Sequence, residues 1–336
     1  MKSLKLHGTN DLQFHDEPIP EPSYEEVLIR VKAVGICASD LHWVYEGTTG
    51  DAVITTPFAL GHEIGGVIEG GDLAGTRVAV DPCVPCGTCE FCLRGDPNLC
   101  PDHYFAGQAP QDGALRQYMT WPMKAIIPIP DSISDEDAAM LEPLGVAIHT
   151  VDLGKVKPGM TVGVYGCGPI GLMVLQMARI AGASEILATD VLPHRLQYAK
   201  EMGAHKTYLA TENGDERRPI LADTHQLGVD VAFEVAGENG AVETAVETVK
   251  PGGRVVLCGI PSVNQTCFKA STARRKGLTL KLVRRMKHTY PRAIKLVETG
   301  QVDVRKIVTH RFPLSDAVEA FNTAQSREGL KIIIHP

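Results

Sequence analysis

A glycine-rich turn in the middle of the chain constrains its fold more than any other feature. The apolar run Thr161–Tyr165 leads into Gly166-Cys-Gly-Pro-Ile-Gly171, and a helical pattern follows over residues 170–181. The hexapeptide G-x-G-x-x-G alone is weak evidence, because glycine-rich turns are common. Its position between a strand and a helix is typical of a dinucleotide-binding βαβ unit.

Strand and helix patterns alternate from about residue 157 to residue 284, which predicts a doubly wound α/β fold with a parallel sheet. Between them lie helical patterns such as 194–202 and 241–249. We count six strand patterns, which is the number that completes a dinucleotide-binding sheet. They cover residues 161–165, 185–189, 207–209, 229–235, 254–258 and 278–283.

The rest of the 336 residues should form a second domain, since a domain usually has about 100–200 residues. The first part of the chain is rich in Gly, Pro and short β-branched runs, which predicts an irregular, mostly β domain. The tail carries two helix and two strand patterns beyond the complete sheet, so we expect it to return to that domain. The predicted domains are 1–147 with 285–336, and 148–284.

Each glycine of the turn has an expected role in binding a dinucleotide. Gly166 permits the tight turn, Gly168 lets the backbone approach a pyrophosphate, and Gly171 allows close packing of helix on sheet. The helix begins near Pro169 and Ile170, and its N-terminus offers unpaired N–H groups to the phosphates.

Asp190 is the expected ribose ligand, because it ends the second strand 19 residues after Gly171. A carboxylate there accepts hydrogen bonds from the ribose hydroxyls and repels a 2′-phosphate, which favours NAD over NADP. Arg195, five residues further on, weakens this preference and is included in the predicted cofactor site.

Five of the nine cysteines lie between Cys83 and Cys100, and such crowding in a reducing compartment indicates metal rather than disulfides. The spacing C-x2-C-x2-C-x7-C lets four thiolates close a tetrahedron around a structural zinc, in a lobe predicted over residues 82–102. The predicted ligands are Cys86, Cys89, Cys92 and Cys100. Cys83 is left outside the set.

A second metal site is suggested by Cys37, which follows a strand pattern, and by Gly61-His62-Glu63. Three protein ligands with one open position describe a catalytic zinc. Spacing alone does not decide the matter, because an isolated cysteine and a His-Glu pair often have structural roles.

Composition excludes several functions. The formal net charge is −7 without a long run of either sign, which argues against nucleic-acid binding and against an anionic membrane surface. No apolar stretch approaches the roughly 18 residues of a membrane span, and the N-terminus has no signal-peptide core. We expect a cytoplasmic protein.

These motifs together resemble the zinc-containing medium-chain dehydrogenase/reductase family, in its sorbitol (polyol) dehydrogenase branch. The resemblance covers essentially the whole chain. It is carried by the four-cysteine lobe and by the segments Gly35-Ile-Cys37-Ala-Ser39-Asp-Leu-His42, Gly61-His62-Glu63, Leu141-Glu142-Pro-Leu144, Gly166–Gly171 and Thr309-His-Arg-Phe-Pro313.

The resemblance implies a GroES-like catalytic domain and a Rossmann domain. It further implies that Cys37, His62 and Glu63 bind a catalytic zinc. Glu142 is implied to hold the zinc-bound water or join the metal, and it is counted among the substrate residues as well. The ethanol-type branch has a cysteine in that region instead. The implied cofactors are one catalytic zinc, one structural zinc and NAD, and the implied assembly is a homotetramer or a dimer.

The resemblance also assigns residues around the substrate. Ser39 matches a proton-relay position, His42 lies where a second relay group would be, and Arg285 resembles a pocket arginine. Trp43 stands where a tyrosine is usual, and Met286 replaces an aromatic residue. These two departures concern the substrate pocket, so they leave the identity of the alcohol open.

We therefore expect a zinc enzyme that transfers a hydride from a secondary alcohol, such as a polyol, to NAD and leaves a ketone. A threonine 3-dehydrogenase or a glucose dehydrogenase would have the same metal and cofactor sites. The different-class alternatives are a zinc-ribbon nucleic-acid-binding module, which the acidic balance opposes, and a catalytically silent relative, which the intact ligand set opposes.

Overall fold

The chain forms two units, one from both ends of the sequence and one from its middle. The computed structural model describes residues 1–336. Its first unit is Met1–Pro143 with Tyr290–Pro336, and its second is Leu144–Thr289. The boundaries predicted from the sequence, after residues 147 and 284, lie four and five residues from these divisions.

The first unit is mostly β. Its strands are β1 Lys2–Gly8, β2 Asp11–Asp16, β3 Glu26–Gly35, β4 Thr48–Thr49, β5 Ala52–Val53, β6 Phe58–Ala59, β7 Glu63–Glu69, β8 Arg77–Val80, β9 Cys83–Val84, β10 Tyr104–Phe105, β11 Tyr118–Pro122 and β12 Ile126–Pro128. Its helices in this part are α1 Ala38–Glu46, α2 Glu90–Leu93 and α3 Asp135–Ala139. The helix α4, Leu141–Gly154, begins here and continues into the second unit.

The second unit alternates strictly between strand and helix. Its strands are β13 Thr161–Tyr165, β14 Glu185–Asp190, β15 Lys206–Leu209, β16 Val229–Glu234, β17 Val249–Leu257 and β18 Thr279–Leu282. Its helices are α5 Pro169–Ile180, α6 Pro193–Glu201, α7 Arg217–Asp223, α8 Asn239–Thr248 and α9 Ala270–Lys276. The chain then returns to the first unit with α10 Tyr290–Glu298, β19 Val308–Pro313, α11 Ala317–Ser326 and β20 Lys331–His335. Short 3-10 turns lie at Pro97–Leu99, Met123–Ala125, Arg305–Ile307 and Leu314–Asp316.

The sheet of the second unit has the order β15-β14-β13-β16-β17-β18, and every neighbouring pair is parallel. Its central strand β13 is apolar and almost entirely buried, as expected for a parallel sheet covered on both faces. The strand order reverses between β13 and β16, which is the crevice where such sheets bind dinucleotides. The prediction of a six-stranded, doubly wound sheet is confirmed.

The main sheet of the first unit has the order β12-β8-β7-β3-β20-β19, with β11 also paired to β3. β3 alternates buried and less buried residues along most of its length, the pattern of a strand with one face on the core. The last strand, β20, pairs antiparallel with β3, with Ile333 opposite Gly35. This pairing brings the end of the chain to the segment that carries Cys37.

Three consecutive acidic residues of α3, the helix before Glu142, form ion pairs with arginines of the first unit. Asp135 accepts a hydrogen bond from Arg77 (2.8 Å), Glu136 pairs with Arg311 (2.8 Å), and Asp137 pairs with Arg305 (2.7 Å). The three arginines come from different parts of the first unit, so the ion pairs fix the start of α4 relative to the sheet. The three arginines are themselves partly exposed, and the main role of these ion pairs here is orientation.

Helices α1, α7 and α9 were not predicted from the sequence. None of the helices combines the length and apolar character that crossing a bilayer requires.

Candidate active site and metal centres

Four cysteines of the first unit converge on a single point. The Sγ atoms of Cys86, Cys89, Cys92 and Cys100 all lie within 4.8 Å of one another. Individual separations are 3.5 Å for Cys89–Cys92, 3.5 Å for Cys86–Cys100, 3.8 Å for Cys89–Cys100 and 3.9 Å for Cys86–Cys92. A tetrahedron with Zn–S bonds of about 2.3 Å has edges of about 3.8 Å. The four thiols therefore fit a structural zinc, and Cys83 is not part of the cluster.

The three dispersed candidates also come together. Cys37 Sγ, a ring nitrogen of His62 and a carboxylate oxygen of Glu63 lie within 4.8 Å of one another. One thiolate, one imidazole and one carboxylate are all competent zinc ligands, and three protein ligands leave a fourth position open. This donor set fits a catalytic zinc.

Local folding explains why these side chains meet. β3 ends at Gly35, and Cys37 is the N-cap of α1, with extended backbone angles. His62 directly precedes β7, whose first residue, Glu63, pairs with Gly35 across the sheet. The end of β3 and the start of β7 therefore place Cys37, His62 and Glu63 next to one another at the same end of the two paired strands.

Asp40 orients two of these groups and was missed in the sequence analysis. It is 1% exposed, and its Oδ2 accepts a hydrogen bond of 2.9 Å from the backbone N–H of Cys37. Its Oδ1 lies 3.4 Å from Nδ1 of His62. Burial by itself lowers the pKa of His62, but Asp40 and Cys37 outweigh it and raise that pKa well above its usual value. A carboxylate behind a ligating histidine fixes the ring, which leaves the other nitrogen to a metal.

Glu142 lies close enough to the same group to interact with it electrostatically. It is 7% exposed, in the first turn of α4. Burial, together with the negative charges of Glu63 and Asp81, raises the pKa of Glu142 to about 7, against the opposite effect of His62 and Lys331. A carboxyl group with a pKa near neutrality can both hold and release a proton at physiological pH.

The predicted relay residues both lie on α1. Ser39 is partly buried in the first turn of this helix. His42 is one turn further along, and its Nδ1 lies 2.9 Å from Oε1 of Glu46, which is 41% exposed. The carboxylate of Glu46 therefore gives His42 a proton acceptor at the protein surface.

Besides Glu142, the predicted substrate residues are Trp43 and Arg285, which have different surroundings. Trp43 is 2% exposed and packs edge-on against Phe58, with ring centroids 5.3 Å apart, which is a core position. Arg285 belongs to the second unit, between β18 and α10, and has a left-handed backbone with φ of 54°. A substrate role for either residue stays a prediction.

The glycine loop has the geometry that a dinucleotide needs. Gly166 has φ of +109° and lies against the backbone of Ala236, and a Cβ at Gly171 would be 1.9 Å from the carbonyl oxygen of Gly166. A Cβ at Gly168 would meet only Arg195, at 3.6 Å. Protein packing therefore requires two of these glycines, whereas Gly168 leaves room that a pyrophosphate can fill. Gly168 is also the N-cap of α5, with Pro169 as its first residue and Ile170 as its second.

Asp190 is the last residue of β14, and its carboxylate also stabilises the glycine loop. Its Oδ2 accepts a 2.7 Å hydrogen bond from the N–H of Cys167, and its Oδ1 accepts one of 2.9 Å from Leu192. The carboxylate is thus held at the carboxyl end of the sheet, where the ribose of a dinucleotide binds.

Asp190→Ala is expected to lower the ratio of kcat/KM with NAD to kcat/KM with NADP by about 10-fold or more, since a carboxylate that repels a 2′-phosphate is lost. Glu185→Ala, at the opposite end of β14, is the matched control and should leave the ratio unchanged. Initial rates with both cofactors measure it. An unaltered ratio in Asp190→Ala would remove this residue from cofactor selection.

Comparison with known proteins matches both parts of the chain to dehydrogenase families. Residues 23–131 match the alcohol dehydrogenase GroES-like domain, and residues 169–299 match the zinc-binding dehydrogenase family. The chain is 38% identical to sorbitol dehydrogenase of Bacillus subtilis (strain 168), covering 100% of this chain and 97% of the relative. It is 36% identical to the probable D-xylulose reductase A of Neosartorya fischeri, covering 99% and 96%.

A solved structure agrees in fold along the whole length. A short chain alcohol dehydrogenase from Escherichia coli CFT073, complexed with the cofactor NADH, superposes with a TM-score of 0.91 at 29% identity. The match covers 100% of this chain and 99% of the other.

A doubly wound nucleotide-binding unit, joined in one chain to a GroES-like unit with two zinc-ligand sets, defines a zinc-dependent dehydrogenase. The chain belongs to the zinc-containing medium-chain dehydrogenase/reductase family and is similar to its sorbitol dehydrogenases. The predictions of this family, of an NAD-linked alcohol dehydrogenase and of zinc and NAD as cofactors are confirmed. The roles given to individual site residues stay predictions.

Proposed function

We propose that this enzyme oxidises a secondary alcohol of a polyol to a ketone with NAD as hydride acceptor, at a centre held by Cys37, His62 and Glu63. The observation that carries the proposal is the convergence of these three donors within 4.8 Å. The substrate class is supported by the names of two full-length relatives, a sorbitol dehydrogenase and a probable D-xylulose reductase.

Each cofactor supplies one part of the chemistry. Bound zinc acts as a Lewis acid that lowers the pKa of the substrate hydroxyl, and bound NAD accepts the hydride. Cys37, His62 and Glu63 would hold the metal, while Asp40 fixes the orientation of His62.

The remaining residues act on protons and on the cofactor. Glu142, a buried carboxyl group that interacts electrostatically with His62 and Glu63, would exchange a proton next to the metal ligands. Ser39 and His42 would carry the hydroxyl proton along α1, and Glu46 offers His42 an acceptor at the surface. The loop at Gly168 and the carboxylate of Asp190 would hold the dinucleotide.

A substrate panel tests the proposal. Sorbitol, xylitol, galactitol, L-threonine and D-glucose are offered with NAD and with NADP, to protein whose zinc content has been measured. We expect about two zinc ions per chain and the highest kcat/KM with a polyol and NAD. Preference for L-threonine or D-glucose would reassign the substrate, and a zinc-loaded protein that oxidises no alcohol would overturn the proposal.

We also propose a cytoplasmic homo-oligomer, a tetramer or a dimer. The location is supported by the four-cysteine cluster, because thiolate ligands need a reducing compartment to stay reduced. The assembly is supported by the family resemblance alone. Light scattering on the purified, zinc-loaded protein measures the subunit number, and a monomer would contradict it.

A further inference from the structure

A buried lysine from the end of the chain contacts the predicted zinc ligand Glu63. Nζ of Lys331 lies 2.6 Å from Oε1 and 2.7 Å from Oε2 of this carboxylate, and both side chains are at most 4% exposed. Nζ of Lys331 donates a third hydrogen bond, of 2.9 Å, to the carbonyl oxygen of Ile36, the residue before Cys37. All three ammonium donors of Lys331 therefore have acceptors on Glu63 or on the residue before Cys37.

A second close contact also limits the position of the Glu63 carboxylate. A Cβ at Gly35 would lie 1.9 Å from Oε2 of Glu63. The carboxylate therefore occupies space that any side chain at position 35 would fill. Lys331 and Gly35 are on neighbouring strands, β20 and β3, which form part of one sheet. The carboxylate is thus held by the sheet, independently of any metal.

A carboxylate in this arrangement is a weakened metal ligand. Each of its two oxygens already accepts a hydrogen bond from an ammonium group, which withdraws negative charge from both. The positive charge of the ammonium also repels a dication at short range, and this repulsion is strong in a buried site with little water. A catalytic zinc takes the substrate at its open position and sometimes becomes five-coordinate, and a loosely held protein ligand lets the coordination shell adjust to that change.

We propose that Lys331 is a positioning residue that keeps Glu63 a loosely held ligand of the catalytic zinc, so that the coordination shell can adjust when the substrate oxygen enters its open position. The inference rests on the proposed ligand role of Cys37, His62 and Glu63. It predicts that Lys331 loosens the metal, whereas a lysine that only supported the local structure would tighten it.

The test is the rate at which the two zinc ions of the holoenzyme pass to an excess of a chromogenic chelator. The phase that is absent in Cys37→Ala identifies the catalytic ion, and the four-cysteine ion serves as an internal reference. In Lys331→Met we expect the catalytic ion to leave at least 10-fold more slowly, with an unchanged second phase. Lys306→Met, which removes an exposed lysine of the same unit, is the control and should leave both phases unchanged.

A double-variant comparison shows whether the effect acts through Glu63. In a Glu63→Gln background, Lys331→Met should change the rate of zinc release less than threefold. The side chain at position 63 is then no longer a carboxylate, so removing its ammonium partner cannot strengthen it as a ligand. Lys331→Gln removes the charge but keeps a donor, and it replaces Lys331→Met in the same measurement if that variant does not fold. Lys331→Arg keeps the charge and should release zinc at nearly the original rate.

The outcomes separate this inference from the proposed function. Unchanged or faster release of the catalytic ion in Lys331→Met and Lys331→Gln would overturn the role of Lys331, as would an equal slowing in the Glu63→Gln background. A chain that binds only the four-cysteine zinc, or that oxidises no alcohol, would instead overturn the proposed function.

Discussion

Cys37→Ala is expected to lower the turnover of alcohol by at least about 10³-fold, while the dissociation constant for NAD changes less than about twofold. The thiolate is one of three protein ligands within 4.8 Å of one another, so its loss leaves two donors for the catalytic zinc. Lewis-acid stabilisation by such a metal contributes several kcal/mol to the reaction, and each 1.36 kcal/mol corresponds to about a factor of ten in rate.

The measurements are steady-state rates, zinc content and NAD titration by fluorescence. We expect a loss of about one zinc per chain together with the loss of activity. Cys267→Ala is the matched control, since Cys267 is exposed and belongs to neither cluster. Near wild-type activity of Cys37→Ala would refute a catalytic metal at this position.

Cys100→Ser should release the structural zinc and open the lobe formed by residues 82–102. Cys100 is the fourth member of the cysteine cluster and the most deeply buried one, at 2% exposure. The lobe contains only short elements, so we expect the metal to contribute much of its stability. Structural zinc binding supplies roughly 10–16 kcal/mol in small zinc domains, which is as large as the stability of many proteins.

Zinc analysis and limited proteolysis follow this change. One zinc per chain should remain, and new cleavage sites should appear between residues 82 and 102. Cys83→Ser is the control within the same lobe, and it should retain both ions because Cys83 is outside the cluster. Resistance to protease in a Cys100→Ser protein that has lost one zinc would contradict a stabilising role for the metal.

The second unit was largely predictable from the sequence because its determinants are local. Apolar strands such as Thr161–Tyr165, the glycine turn at Gly166 and the acid at Asp190 each have a recognisable pattern and spacing. The cysteine lobe was predictable for the same reason, since all its ligands lie within 15 consecutive residues, 86–100.

The surroundings of the catalytic metal were much less predictable. Helix α1 has Cys37 as its N-cap, a residue type that gives no ordinary signal for a helix start. The weak clue was Asp40 three residues later, which completes a capping box. Lys331 contacts Glu63 across 268 positions of sequence, and only the pairing of β20 with β3 brings them together. A lysine at the start of the apolar run Ile332-Ile333-Ile334 was the available signal.

The insertion of β20 between β3 and β19 determines when the protein can finish folding during synthesis. The cysteine lobe can take up its zinc as soon as residue 100 has left the ribosome, and the middle unit can fold once its own strands are complete. The carboxylate of Glu63, by contrast, has no contact with the ammonium group of Lys331 until residue 331 emerges. All predicted ligands of both metal centres are therefore made before Lys331, and the catalytic set gains its ammonium contact only as the final step.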